Sequence, residues 1–349
     1  MTSNLMSAKM LETSASAISA YSVIRLFESA PGIKESFGEQ AFDYWKDFIG
    51  KLVGELSVAL SESQPELFLA KIRWEKAAFQ AREFDEKFLS LSLDCLKSVV
   101  GEELPDGMIG PASEIIDLAK NELSEDQSSE AKLIGDDQIS QLAGNYLVKI
   151  LEGDTHSAIQ TVVTAHQNGL SLEDTYLSLV RAQTEVGRMW HVAEISVAEE
   201  HLVTHTTHRA MSVLNYQTPR SPSNGKTLIS SAVAGNYHDL GIRAITDFFE
   251  FAGWRVICLG NDTPELEIAD SAKSFGASLV MLSANMSAHL NAARKSIELV
   301  KASSPDCKII LGGEIFRELP DLAASLGGDG FATGISEAVS LGNQLCGVG

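Results

Sequence analysis

The chain has 349 residues, of which 44% are hydrophobic, so it can form two or three globular domains. Its 47 acidic residues exceed its 27 basic ones, and the formal net charge of −20 argues against direct binding to nucleic acid, because phosphate contacts need Lys and Arg. The sequence has no apolar run of ~18 uncharged residues, no secretory signal pattern, and no metal or disulfide spacing among its four cysteines. We therefore expect a cytoplasmic protein with reduced thiols and no membrane contact.

Residues 1–122 predict an all-helical N-terminal domain that serves signalling or a second ligand. A short apolar segment from Ile18 to Phe27 predicts one helix, which the turn signal Pro31-Gly32 ends. Apolar residues then recur at three- and four-residue steps, as in helices that bury one face. Four aromatic residues fit either the core of this domain or a ligand pocket: Tyr44, Trp45, Trp74 and Phe79.

An acidic linker and a helix bundle are predicted next. Residues 123–137 are rich in Ser, Glu and Asp, a composition that is typical of a linker. Residues 138–217 contain four helix patterns joined by short loops, which predict a four-helix bundle. The third pattern begins with Ser171-Leu172-Glu173-Asp174, which resembles a capping box whose acidic residue is shortened to Asp.

The last segment, residues 225–349, carries three motifs that each follow an apolar, strand-like run. The first is Asn236-Tyr237-His238-Asp239-Leu240-Gly241, which stands between such a run and a helix pattern. Ser283 and Gly312-Gly313 end two later runs. A His in such a loop is by itself more typical of a solvated surface. The two later motifs favour a binding site instead.

The three motifs resemble the Asp-x-His-x-x-Gly, Ser-x-Leu and Gly-Gly pattern of the cobalamin-binding domain in methionine synthase, corrinoid proteins and adenosylcobalamin-dependent mutases. The resemblance implies a Rossmann-like (flavodoxin-like), doubly wound parallel sheet and a cobalt corrinoid cofactor. It also implies that His238, three residues before Gly241, is the lower axial ligand of cobalt in a base-off/His-on state. The nucleotide tail would lie beside Ser283 and over Gly312-Gly313, because glycine lets a ligand approach the backbone closely.

Two residues depart from the family pattern. Asn236 replaces the Asp that partners the His, so the partner of the imidazole is a neutral amide. Asn285 replaces the Leu of Ser-x-Leu and puts a polar side chain near the expected nucleotide tail. We expect weaker or differently tuned ligation of cobalt by His238, and not loss of the site.

A second group of residues lies in the predicted bundle. Trp190-His191 ends the third helix pattern, and Glu200-His201 follows near the start of the fourth. Without the cobalamin module that follows, a buried Trp with capping or solvated polar neighbours would be the better explanation. With that module, they resemble the Trp-x9-Glu-His motif of adenosylcobalamin-dependent photoreceptors, such as the light-released repressor of carotenoid genes. The resemblance implies that Trp190, Glu200 and His201 contact the adenosyl group, and that His191 replaces it on cobalt after photolysis.

The N-terminal segment resembles the helical region ahead of cobalamin modules in some bacterial light sensors, including the photocobilin type. The matching residues are Tyr44-Trp45, Arg73-Trp74 and Glu103-Leu104-Pro105. This resemblance implies a variant that also binds a bilin such as biliverdin between the helical domain and the bundle.

Three functions compete. The favoured hypothesis is an adenosylcobalamin-dependent light sensor that is not an enzyme and that signals through a protein partner such as a regulator, with the bundle faces available for homo-oligomers. The second is a corrinoid protein that carries a methyl group between methyltransferases. The third is a regulator that reports cobalamin level without light. Five further histidines are interpreted as surface, loop or bundle residues: His156, His166, His205, His208 and His289.

Overall fold

A computed structural model describes residues 3–123, 135 and 137–348 of the chain. The described residues form two compact units, one with residues 3–123 and 191–193 and the other with the remainder. Most of the predicted acidic linker, residues 123–137, lies outside the described residues. Within the described part of the chain, no helix is both long enough and apolar enough to span a bilayer.

The first unit is entirely helical, as the sequence predicts. Its helices are α1 (Ser3–Ser29), α2 (Gly32–Phe37), α3 (Ala41–Ser61), α4 (Pro65–Ala81), α5 (Glu86–Glu103) and α6 (Ile109–Leu123). Pro65 occupies the first turn of α4, where a missing N–H costs nothing, and the Asp85 side chain accepts from Lys87 N–H to cap α5. The first helix is longer than the predicted Ile18–Phe27 segment. The predicted segment is the C-terminal part of this helix, where the apolar residues are concentrated.

Two of the four aromatic residues singled out in this unit, Trp45 and Phe79, are core, whereas Tyr44 is exposed over 41% of its surface. Trp45 is fully buried, and its ring contacts Phe37, Phe48 and Phe79 at centroid distances of 5.5, 5.2 and 6.1 Å. Edge-to-face contacts of this kind stabilise aromatic clusters beyond the effect of area alone. Trp74, in contrast, is exposed over 44% of its surface. The cluster around Trp45 therefore accounts for the packing of α3 on α4.

The second unit begins with four helices. They are α7 (Gln138–Leu151), α8 (Thr155–Gln167), α9 (Leu172–His191) and α10 (Val197–Gln217), and we call them the helix bundle. At the start of α9, Asp174 N–H donates to Ser171 Oγ, while the Asp174 carboxylate accepts from the Ser171 hydroxyl. A complete capping box forms instead at α10, where Ser196 and Glu199 bond reciprocally. The longer Glu side chain reaches the backbone N–H that Asp does not.

A five-stranded, wholly parallel sheet follows, which confirms the predicted fold class. Its strands are β1 (Thr227–Val233), β2 (Arg255–Thr263), β3 (Leu279–Ser283), β4 (Lys308–Gly312) and β5 (Gly330–Phe331), in the order β2-β1-β3-β4-β5. The helices between and after them are α11 (Leu240–Phe251), α12 (Glu265–Ser274), α13 (Leu290–Ser303), α14 (Glu314–Glu318), α15 (Asp321–Ser325) and α16 (Ile335–Cys346). Strands β1 and β3 are buried throughout, as expected for a parallel sheet covered on both faces.

The helix bundle and the sheet share one hydrophobic core within the second unit. Leu240, Ala244 and Ile335 from the sheet side belong to the same cluster as buried bundle residues. Inside this core the Tyr176 hydroxyl of α9 donates to Asp247 Oδ2 of α11, at 2.8 Å. Burial raises the pKa of the Asp247 carboxyl group, because desolvation disfavours its charged form.

The raised pKa of Asp247 predicts a pH-dependent stability. Because the folded-state pKa lies above the ordinary value of an Asp side chain, the unfolded chain releases this proton at lower pH than the folded chain does. The contribution of Asp247 to stability therefore falls as pH rises through these two pKa values. Asp247→Asn keeps an oxygen that accepts the Tyr176 hydroxyl and removes the buried charge. We expect the variant to exceed the wild type in unfolding free energy at pH 7 to 8 and to lose this advantage towards pH 4. Urea titrations across that range measure the difference.

The matched control is Asp270→Asn, which neutralises an exposed carboxylate on α12. An equal gain in both variants at neutral pH would show that reduced net charge, and not burial of Asp247, causes the effect.

Candidate functional site

The three sequence motifs lie at one edge of the sheet. Strands β1, β3 and β4 are adjacent and parallel, so the loops that follow Val233, Ser283 and Gly312 start at the same side. This edge, formed by the carboxyl ends of the strands, is where open parallel sheets bind their ligands. The fold thus brings together residues that are far apart in the sequence.

Asn236 determines which nitrogen of His238 carries a proton. The Asn236 side chain is fully buried, and its Nδ2 donates to the Ser283 carbonyl at 2.9 Å. Since a carbonyl only accepts hydrogen bonds, the amide must face Ser283 with its nitrogen and His238 with its oxygen. Asn236 Oδ1 accepts from the His238 backbone N–H at 3.1 Å and lies 3.2 Å from His238 Nδ1. The Nδ1 atom is therefore the donor.

The remaining ring nitrogen of His238 has the properties of a metal ligand. With the proton on Nδ1, the Nε2 atom keeps its lone pair. The residue is exposed at the sheet edge, and within the described part of the chain Nε2 has no hydrogen-bond partner. Imidazole with its second nitrogen bonded to an acceptor is the usual form of a protein ligand to a transition metal. The donor atom and its support therefore fit an axial ligand to cobalt.

Asn285 joins the loops on both sides of β3. Its Nδ2 lies 3.5 Å from the His238 carbonyl, and its Oδ1 accepts from Glu314 N–H at 3.0 Å. Both contacts use the amide that stands where the family pattern has Leu. A Leu side chain would leave these backbone groups without that partner, so Asn285 adds polar contacts at this edge.

Gly313 is required by the path of the backbone. Its φ angle is +110°, and a Cβ atom there would stand 2.0 Å from the Ala284 carbonyl oxygen. Its neighbour Gly312 has more room, since the nearest atom to a Cβ would be the Ala332 oxygen at 3.6 Å. At the other loop, a Cβ on Gly241 would meet nothing within 4 Å. Gly313 thus lets the loops after β3 and β4 approach closely.

The helix bundle contacts the residue after the candidate ligand. His208 of α10 accepts from Arg243 at Nδ1, over 3.0 Å, and its Nε2 lies 3.3 Å from Asp239 Oδ1. Arg243 also donates to Ser212 of α10 at 2.8 Å. His208, which the sequence places among surface, loop or bundle residues, is a bundle residue, and its partners belong to the loop after β1 and to α11.

The second predicted group is divided. Glu200 and His201 lie together on α10, with His201 Nδ1 2.6 Å from Glu200 Oε2. Trp190 lies in the last turn of α9 with 41% of its surface exposed. His191 belongs to the first compact unit, where its Nε2 lies 2.7 Å from the Trp74 carbonyl oxygen and its ring stacks on the Trp74 indole. Burial lowers the pKa of His191.

One buried residue of the sheet edge was missed by the sequence reasoning. His289 follows β3 and is 3% exposed, although it had been interpreted as a surface, loop or bundle residue. Its Nδ1 accepts from the backbone N–H of Asn285 and of Met286. The signal in the sequence was its position in the loop that Ser283 begins, because such a loop reaches the ligand edge of a parallel sheet.

Comparisons with known proteins match two segments of the second unit. Two family models match, each described as a B12 binding domain, at residues 226–340 and at residues 142–215. A corrinoid protein of Desulfitobacterium hafniense is 26% identical over 206 residues, which cover 57% of this chain and 94% of the relative. Dimethylamine corrinoid protein 3 of Methanosarcina mazei is 30% identical over 120 residues, which cover 34% of this chain and 71% of the relative.

A solved structure, that of the Methanosarcina barkeri monomethylamine corrinoid protein, aligns with a TM-score of 0.49 at 18% identity. The alignment covers 59% of this chain and 98% of that protein.

The comparisons correct the favoured functional hypothesis. The prediction of an adenosylcobalamin-dependent light sensor is wrong, because the relatives are corrinoid proteins, several of them named for dimethylamine. The error came from Trp190, His191, Glu200 and His201, whose short motif is compatible with more than one bundle function. The prediction of a cobalamin-binding module is confirmed.

Gly313→Ala tests the close approach of the loops. The substitution is strained at φ +110° and brings Cβ against the Ala284 carbonyl, so we expect the unfolding free energy to fall by about 1–3 kcal/mol. Urea unfolding measures this, with Gly334→Ala as the control, since a Cβ there would meet nothing within 4 Å. Equal stability of both variants would contradict the assigned path of the backbone.

Asn236→Asp tests the orientation of the amide. A carboxylate has no N–H for the Ser283 carbonyl, so a buried acceptor loses its donor, and we expect the unfolding free energy to fall by about 1–3 kcal/mol at pH 7. The control is Asn224→Asp, near the start of the sheet domain and outside the site. Unchanged stability of Asn236→Asp would show that Asn236 does not donate to Ser283.

Proposed function

The chain belongs to the corrinoid protein family, and we propose that it carries a methyl group on a cobalt corrinoid as one component of a methyltransferase system. The observation that carries the proposal is the His238 ring, held by Asn236 so that Nε2 keeps its lone pair at the ligand edge of the sheet. The names of the relatives support the methyl-transfer part, since they include dimethylamine corrinoid proteins.

Three loops would hold the cofactor. His238 would be the lower axial ligand, and the nucleotide tail would run beside Ser283 and over Gly312-Gly313. When bound, the cobalt corrinoid supplies the chemistry, because its cobalt atom accepts a methyl group from a donor and passes it to an acceptor. The protein contributes the ligand, its orientation and the close approach of two loops that Gly313 permits.

Asn236 tunes the ligand. A neutral amide attracts the Nδ1 proton less than a carboxylate does, so the imidazole is a weaker electron donor to the metal. The bond that His238 would make to cobalt would then be weaker than it would be with an Asp partner.

The helix bundle would cover the upper face of the corrin ring. Trp190 of α9 offers an exposed indole, and Glu200 and His201 of α10 offer a hydrogen-bonded pair. The proposal takes a methyl group as the upper ligand in place of the adenosyl group and includes no bilin. It assigns no role on cobalt to His191.

Protein partners complete the system. A carrier does not itself activate the methyl donor or the acceptor, so separate methyltransferases would supply both, and the chain would not be the catalyst. We retain the domain boundaries 1–122, 123–137, 138–217 and 225–349 for this proposal. The first domain lies outside both regions that the family models match, and it is available for contact with a partner.

The proposal is tested with the full chain loaded in the dark with methylcobalamin that carries a labelled methyl group. We expect the protein to retain the cofactor through gel filtration and to pass the label to a small thiol when a thiol:corrinoid methyltransferase is added. His238→Ala should give a base-off absorption spectrum and lose most of the cofactor, because the lower ligand is absent. His166→Ala, on α8, is the control and should behave like the wild type.

Two results would contradict the proposal. One is a wild-type protein that retains no cobalamin. The other is a protein that retains adenosylcobalamin in preference to methylcobalamin and transfers no label.

A further inference from the structure

His289 occupies a buried position between the loop that carries His238 and the loop that follows β3. The residue lies in a short 3-10 turn, Ser287–His289, directly before α13. It is 3% exposed, so both of its ring nitrogens need partners within the protein. The identity of these partners shows what the ring does.

On one side the ring binds the loop after β3. Nδ1 lies 3.2 Å from the backbone nitrogen of Asn285 and 3.2 Å from that of Met286. Backbone N–H groups only donate, so Nδ1 must accept from both and carry no proton. The neutral ring then has its proton on Nε2.

On the other side the ring binds the loop that carries His238. The ring donates a hydrogen bond to the backbone carbonyl of Gly235, three residues before His238. Gly235 has a φ angle of +81°, and a Cβ atom there would lie 3.8 Å from His289 Cδ2, so the ring also packs against this residue. The Gly235 N–H in turn donates to Asp262 Oδ1 at 2.7 Å.

Both sets of partners lead to the candidate ligand. Asn285, whose N–H binds His289, directs its own Nδ2 towards the His238 carbonyl at 3.5 Å. Gly235 precedes Asn236, whose Oδ1 faces His238 Nδ1 at 3.2 Å. An apolar residue could fill the same space, but it would leave two N–H groups and one carbonyl without their partner.

We propose that His289 is a positioning residue, which holds the two loops together so that His238 presents Nε2 to cobalt. This inference rests on the proposed function, because it takes His238 as the cobalt ligand. His289 is not itself a ligand, since both of its nitrogens are bonded to backbone groups of the two loops.

The first experiment compares the cofactor spectra of three variants of the full chain loaded with hydroxocobalamin. After reduction, the electron paramagnetic resonance spectrum distinguishes cobalt bound to an imidazole nitrogen from base-off cobalt. We expect His289→Ala to lower the ratio of His-bound to base-off cofactor about tenfold, in the range typical for partners that orient a metal ligand. His289→Gln, which keeps one acceptor and one donor, should recover part of the ratio.

The matched control is Ile297→Ala, which removes a buried side chain of α13 two turns further along the helix. It should destabilise the protein through a cavity and leave the ratio unchanged. If Ile297→Ala lowers the ratio as much as His289→Ala does, or if His289→Ala leaves it unchanged, the proposal is wrong.

The second experiment needs no cofactor. Hydrogen exchange of the Asn285 and Met286 amides, measured on the chain without cobalamin, should be about tenfold faster in His289→Ala than in Ile297→Ala, because both amides lose their acceptor. Equal exchange would refute the loop contact whatever the spectra show. A wild-type protein that binds no cobalamin would refute the proposed function and the role towards cobalt, while the exchange rates would still decide whether His289 holds the loops.

Discussion

The hydrogen bond from the Asn236 amide to the Ser283 carbonyl is the contact on which the chemistry of the site depends. It determines which end of the amide faces His238, and therefore which nitrogen of the imidazole keeps a lone pair. A carboxylate at this position would be symmetrical and would not need such a contact. The Asn236 amide is thus held by the Ser283 carbonyl at the end of β3. This contact is the structural counterpart of having Asn where the family pattern has Asp.

The other contacts at this edge keep that geometry in place. Gly313 permits the loops after β3 and β4 to meet, and Asn285 then reaches both Glu314 and His238. His289 lies beneath them with both nitrogens engaged. Buried polar groups that are fully satisfied make a site rigid, whereas each missing partner has a cost. A single exposed imidazole can serve as a ligand here because the polar groups around it are paired.

The second unit also links the bundle to this edge. The shared core includes Leu240 and Ala244 of α11, and Tyr176 reaches Asp247 within it. His208 and Arg243 add polar contacts beside Asp239. Movement of the bundle therefore requires changes at α11, the helix that starts four residues after Asn236. These contacts connect the helix bundle physically to the loop that carries His238.

The sequence by itself determined the fold class, the run of helices and strands, and the residues of the cobalamin motif, because periodicity and short loop signals are local properties. It did not determine the function, since the four residues Trp190, His191, Glu200 and His201 fit a light sensor and a methyl carrier alike. Tertiary structure decided that His191 contacts Trp74 and that His289 is buried between two loops. These facts depend on contacts between residues that are distant in the chain. The sequence around a single His does not show whether water or a backbone carbonyl will be its hydrogen-bond partner.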